Sequence, residues 1–96
     1  MPAYFLVHNR VTDAKAMQTY IPKAVELILA NGGEVLVAAE ESEVLEGSTD
    51  LIRTMVIKFH TREQAEAWYQ CAEYQAVLPI RMNATEGFAV LADGLK

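Results

Sequence analysis

The sequence predicts an α+β domain, a four-stranded antiparallel sheet with helices packed on one face, in the order β-α-β-β-α-β. Three observations predict it: four short apolar runs rich in β-formers, two helical stretches that each start at a side-chain cap, and a length of 96 residues that suits one domain over 1–96.

Ala3 to Asn9 forms the first strand, with Tyr4, Leu6 and His8 on one face and Phe5, Val7 and Asn9 on the other. Thr12-Asp13 then offers a helix N-cap, because the Asp carboxylate accepts from the free amides of a first turn. Met17, Tyr20, Ala24, Leu27 and Ile28 follow at helical spacing, so the helix runs from about Asp13 to Ala30. Pro22 lies inside it. A proline there deletes the amide that would bond residue 18 and crowds the preceding turn, which predicts a bend or a helix in two parts. Asn31-Gly32-Gly33 stops the helix, since glycine takes the left-handed C-cap conformation without steric cost.

Glu34 to Ala39 reads as the second strand, Val35 and Val37 on one face and Leu36 and Ala38 on the other. Arg53 to Phe59 reads as the third, with Met55, Ile57 and Phe59 together. Between them Glu40, Glu41, Glu43, Glu46 and Asp50 carry no base, which suits a solvated loop or a place where a carboxylate meets a cation. Thr61-Arg62-Glu63-Gln64 has the capping-box form, and Ala65, Trp68 and Ala72 share one face of the helix it opens. The pattern shifts phase around Cys71 to Glu73. Tyr74, Val77, Leu78 and Arg81 then define a further helical segment containing Pro79, and Gly87 to Ala92 is the last strand. The order is the ferredoxin-like split.

Such a fold leaves one sheet face uncovered, and a half-solvated sheet should alternate apolar with polar. Here both faces are apolar, as Tyr4 and Leu6 against Phe5 and Val7 illustrate, and hydrophobic residues make up 52% of the chain. The sequence therefore predicts a homodimer packed sheet against sheet about a two-fold axis.

A net charge of −5 repels phosphate backbones and anionic lipid surfaces, which argues against nucleic-acid and membrane partners. One cysteine closes no intramolecular disulfide, and no Cys/His cluster has metal-ligand spacing, so no metal or other cofactor is expected. The opening residues lack a basic segment, and no run reaches 18 apolar residues, which suggests a cytoplasmic protein.

With these elements in place the chain resembles the domain-of-unknown-function family 1330 of the dimeric α/β-barrel superfamily, over almost its whole length. The resemblance rests on Met1-Pro2-Ala3-Tyr4, Thr12-Asp13 with Tyr20 downstream, Gly32-Gly33, Val44-Leu45-Glu46-Gly47 and Thr61 to Tyr69. Its most specific part is Trp68-Tyr69-Gln70-Cys71-Ala72-Glu73-Tyr74-Gln75-Ala76 with Arg81 beyond, similar to the family's Trp-Tyr-x-Ser-Pro-Glu-Tyr-Gln segment and later arginine. Cys71 stands where serine is usual, Ala72 where proline is, and Ala14 and Met17 replace a proline and an aromatic. The resemblance implies a ferredoxin-like chain pairing into a dimeric α/β barrel, with a pocket between helices and sheet. Superfamily relatives include cofactor-free monooxygenases, muconolactone-type isomerases, haem-degrading enzymes and non-catalytic members; carrying a reaction across such a fold is analogy.

The candidate site follows from residue chemistry. His8 is the side chain suited to move protons near neutral pH, with Arg53 brought near by a neighbouring strand; its other reading is a strand-end histidine at a dimer seam. Tyr74 and Arg81 lie seven residues apart, on one helix face, where the guanidinium fork suits the carboxylate of an aromatic or keto acid. Trp68 and Tyr69 wall the pocket or fill the core, and Tyr20 brings a hydroxyl to its rim. Cys71 reads as a buried, inert thiol, His60 as a surface or capping residue, and Gly32-Gly33 as a helix stop rather than a phosphate loop. The expected function is binding of a small organic molecule, with a cofactor-free isomerase or monooxygenase-like activity as its catalytic form; the alternative is a non-catalytic dimeric module.

Overall fold

The computed structural model describes Met1–Leu95 and runs β1 (Ala3–Val11), α1 (Ala14–Ala30), β2 (Glu34–Ala39), β3 (Arg53–Phe59), α2 (Arg62–Gln70), α3 (Ala72–Ala84), β4 (Thr85–Asp93). The strands form one antiparallel sheet in the order β2-β3-β1-β4, so the chain makes the ferredoxin-like α+β fold with its helices on one face. The outer strands are β2 and β4.

The register decides which face each side chain takes. Phe5 sits opposite Ile57, Val7 opposite Met55 and Asn9 opposite Arg53, while Leu6 pairs with Val56 and His8 with Thr54. Ala3, Phe5, Val7 and Asn9 are buried under the helices, and Tyr4, Leu6 and His8 on the other face are half-buried. On β2 the expected alternation fails. A bulge at Leu36 shifts the register between Val35 and Val37, so Val35 pairs with Ile57 but Val37 pairs with Val56 on the open face. Val35 and Val37 therefore do not share a face, because a bulge adds one residue to one strand only and resets the period of two.

The helices begin where their caps are. Asp13 accepts from the amide of Ala16 at 3.1 Å. Thr61 accepts from the amide of Gln64 at 3.1 Å, while the Gln64 carboxamide oxygen accepts from the backbone of His60 at 3.0 Å, closing a reciprocal box. α1 stays one continuous helix through Pro22, not two parts. Both Pro22 and Gln18, whose carbonyl loses its partner, are exposed, so the orphaned carbonyl belongs to the solvent side of the helix while buried Tyr20 and Ala24 hold the helix on either side. Gly32, at φ +81, provides the left-handed stop, and Gly33 lies so close to Ile28 and the Phe59 ring that a Cβ would come within 2.7 and 2.8 Å of them.

Cys71 has a role other than the buried one expected. It is half-buried, it separates α2 from α3, and its Sγ accepts from the amide of Tyr74 at 3.4 Å as the N-cap of α3. The acidic connection is exposed, yet two of its carboxylates meet cations: Asp50 lies 3.2 Å from Arg10 and Glu40 lies 3.5 Å from Arg53.

The core is an aromatic cluster around Trp68, which is 1% exposed. Phe5 meets it edge-on at 5.1 Å, Phe59 lies 5.2 Å away and Tyr74 4.4 Å away between ring centroids. No helix among the described residues is long and apolar enough to cross a membrane.

Candidate functional site

Between α1, α3 and the sheet lies a cavity of about 180 Å³. Phe5, Val7 and Ile57 form its floor because odd positions of β1 and β3 face the helices. Tyr20, Ala24 and Ile28 recur at helical spacing and give it a wall. Trp68 and Tyr74 close the far side. Exposed Ile21, Val25, Ala38 and Glu40 mark the mouth, between α1 and the edge strand β2.

Polar groups converge at two points of this apolar space. At the first, the hydroxyls of Tyr20 and Tyr74 share a hydrogen bond of 2.7 Å, although the two residues are far apart in sequence and lie on different helices. Burial, then the neighbouring Tyr20, push the Tyr74 phenol well above the ordinary tyrosine range. Arg81, 6% exposed, lies beside both hydroxyls; burial works against its charge, and the two phenols more than offset that, leaving its pKa raised. No carboxylate among the described residues lies within 4.0 Å of it, and its buried Nε has no acceptor. A buried guanidinium without a counter-ion is unusual, since its desolvation is compensated only by dipoles.

At the second point Arg53, 7% exposed, donates from Nη1 to the Asn9 carboxamide oxygen at 3.3 Å and places Nε 3.5 Å from Glu40. Arg53 and Arg81 thus line the same cavity from a strand and a helix. Asn9 was not a site candidate in the sequence, and Glu40 entered only as one of five acidic residues where a carboxylate could meet a cation. The signal for Asn9 was a polar residue on the same strand face as Phe5 and Val7.

Five of the seven sequence candidates, Tyr20, Arg53, Trp68, Tyr74 and Arg81, line this cavity, and two do not. His8 lies on the opposite face of the sheet, because it alternates with Asn9 and it is Asn9 that faces the helices. Its Nδ1 is 3.2 Å from the Thr54 hydroxyl, which is 2.6 Å from that of Ser42, and its ring lies 5.8 Å from Phe88. Arg53 is accordingly not its neighbour in a site; the two share a strand pair but not a face. Tyr69 packs on Phe5 at 5.8 Å and lines a second hollow of about 280 Å³ between α2 and β4, where Glu66 and Gln70 are the charged and polar neighbours. That hollow is larger but gathers no cation, so the first cavity is the better candidate.

Chemically, the first cavity combines apolar walls with donors, two arginines and a phenol pair in which one hydrogen remains free, and with one acceptor, the Glu40 carboxylate at the mouth. Such an arrangement stabilises negative charge on a bound molecule. Among the described residues no group of three His, Cys, Asp or Glu side chains is placed to hold a metal ion.

A family model described as "Domain of unknown function (DUF1330)" matches residues 2–95. No curated protein matches the chain. Among solved structures, a protein of unknown function from Rhodopseudomonas palustris is similar at 16% identity with a TM-score of 0.82, covering 99% of this chain and 83% of that one. A Nitrosomonas europaea protein provisionally described as an antibiotic biosynthesis monooxygenase is similar at 17% identity and a TM-score of 0.64, covering 98% of this chain and 90% of that one. HapK from Hahella chejuensis follows at 13% identity and 0.62, covering 97% and 92%. At these identities the likeness is one of fold.

Proposed function

From the premise that the chain belongs to the DUF1330 family of domains of unknown function, we propose that it is a small cytoplasmic homodimer that binds a small organic molecule, aromatic or acidic, in the cavity between its helices and sheet. The observation that carries this reading is an apolar cavity in which Arg81 is buried without a carboxylate beside the Tyr20–Tyr74 pair. Core arginines that serve packing alone are matched by an acidic neighbour, and this one is not.

The catalytic form of the reading is a cofactor-free isomerase or monooxygenase-like enzyme. Enolisation, or deprotonation of a phenol ahead of its reaction with O2, builds negative charge on a substrate oxygen, and a guanidinium with a phenol hydroxyl donating to that oxygen lowers the barrier to that proton loss. The proton acceptor in this scheme is Glu40 at the mouth, since His8 stands across the sheet. The second reading, a non-catalytic dimeric binding module, is favoured by that same absence of an imidazole from the cavity.

Native mass spectrometry of the protein as isolated tests both parts of the proposal. The expected spectrum is a two-chain mass, carrying an additional organic mass that leaves on collisional activation. A one-chain mass at micromolar concentration overturns the dimer, and a failure of every small aromatic acid, alcohol and lactone added afterwards to bind overturns the pocket.

A further inference from the structure

The charge inventory of the cavity specifies its ligand more narrowly than its size does. Five titratable side chains line it: the phenols of Tyr20 and Tyr74, the guanidinium groups of Arg53 and Arg81, and the carboxylate of Glu40. Two positive charges and one negative leave one positive charge unmatched, in a space otherwise walled by hydrocarbon and aromatic rings. The two arginines do not share that deficit. Arg53 already has Glu40 at 3.5 Å and the Asn9 oxygen at 3.3 Å. Arg81 has the two phenols beside it, no carboxylate within 4.0 Å among the described residues, and a buried Nε with no acceptor.

The hydrogen-bond count points the same way. One of the Tyr20 and Tyr74 hydroxyls donates to the other, which leaves one O–H and the Arg81 Nε–H as donors seeking an acceptor. A planar carboxylate has the acceptors and the charge for this end, and a guanidinium holds it by two parallel bonds. The remaining volume fits one ring with a short arm, because a dry cavity of about 150 Å³ accommodates benzene and this one measures about 180 Å³.

Glu40 sets the other end of the ligand. Its side chain is 79% exposed and stands at the mouth, where a second anionic group of a longer ligand would lie. That group would face a carboxylate and would have to displace it from Arg53.

We propose that the cavity takes an aromatic monocarboxylate with its carboxylate on Arg81 and the Tyr20–Tyr74 pair, and that Glu40 rejects ligands bearing a second negative end. This rests on the small-molecule reading above and narrows it to a charge class. Glu40 acts here by repulsion, a specificity device rather than an affinity one.

Calorimetric titration at pH 7.5 with 3-phenylpropionate, its neutral isostere 3-phenylpropan-1-ol and the dianion 3-(4-carboxyphenyl)propionate tests it. The monoanion should bind the native protein at least about tenfold more tightly than either of the others. Arg81→Gln should lose about tenfold or more for the monoanion and leave the alcohol unchanged. Glu40→Gln, at an exposed position where the carboxamide oxygen can still accept from Arg53, should close the gap between dianion and monoanion by about tenfold. An alcohol that binds the native protein as tightly as the acid overturns the charge assignment and leaves an organic pocket standing. A dianion that binds the native protein best, or a Glu40→Gln protein with unchanged selectivity, overturns the role of Glu40. Binding of none of the three overturns the pocket itself.

Discussion

Tyr74 shows how one side chain ties core to site. Its ring packs 4.4 Å from Trp68 while its hydroxyl bonds Tyr20, so the residue is fully buried and still polar at its tip. Tyr74→Phe keeps the packing and removes the bond, and should cost about 1 kcal/mol, or roughly 4–8 °C in Tm. The same variant should change the alkaline limb of stability. Burial raises the folded pKa of Tyr74 above the unfolded tyrosine value of about 10. The protonated phenol therefore contributes stability that is complete below pH ~10 and is lost as pH climbs from there through the folded value. Chemical denaturation at pH 9 and pH 11 should show a steeper fall for the native protein than for Tyr74→Phe; equal slopes would mean that Tyr74 ionises like an exposed tyrosine.

At the scale of elements, caps and breakers decide where helices start and whether they survive. The α2–α3 break is a change of helix phase, with Cys71 capping the second helix through a sulfur that accepts poorly. A serine oxygen at that position accepts the Tyr74 amide more strongly. Cys71→Ser should stabilise the protein by roughly 0.5–1 kcal/mol, read as a higher Tm, and a loss of stability would show that the thiol's contacts matter more than the cap. Capping signals were legible in the sequence because they are local: Asp13 and Thr61 sit next to the amides they serve. Pro22 was legible as a defect but not in its outcome, since whether an orphaned carbonyl finds water depends on which side of the helix faces solvent.

For the molecule as a whole, the open face of the sheet is the feature that a single chain leaves unresolved. Leu6, Val37, Val56, Phe88 and Val90 lie there in paired register, with Phe88 52% and Val90 47% exposed. In the proposed dimer a two-fold partner would cover this surface, and His8, whose ring lies 5.8 Å from Phe88, would stand at the seam. Phe88→Glu places a charge in that seam without touching the helix-side core. Light scattering should move from a two-chain to a one-chain mass while far-ultraviolet circular dichroism stays the same; an unchanged mass would locate the contact elsewhere.

The sequence by itself determined the order of elements, the caps, the helix stop at Gly32-Gly33 and the face shared by Tyr74 and Arg81, because these depend on residues within two or three turns of one another. It also determined that β1 has two apolar faces. Only the tertiary structure decided which of those faces meets the helices, and that choice moved His8 out of the cavity and set Asn9 on the helix side, where it accepts from the cavity-lining Arg53. It decided the Tyr20–Tyr74 bond, which joins two helices, and the bulge at Leu36, which depends on the partner strand. A period of two fixes that alternate residues part company, but the helix-facing side is set by long-range packing, in which a few exposed and buried methyl groups outweigh any local preference.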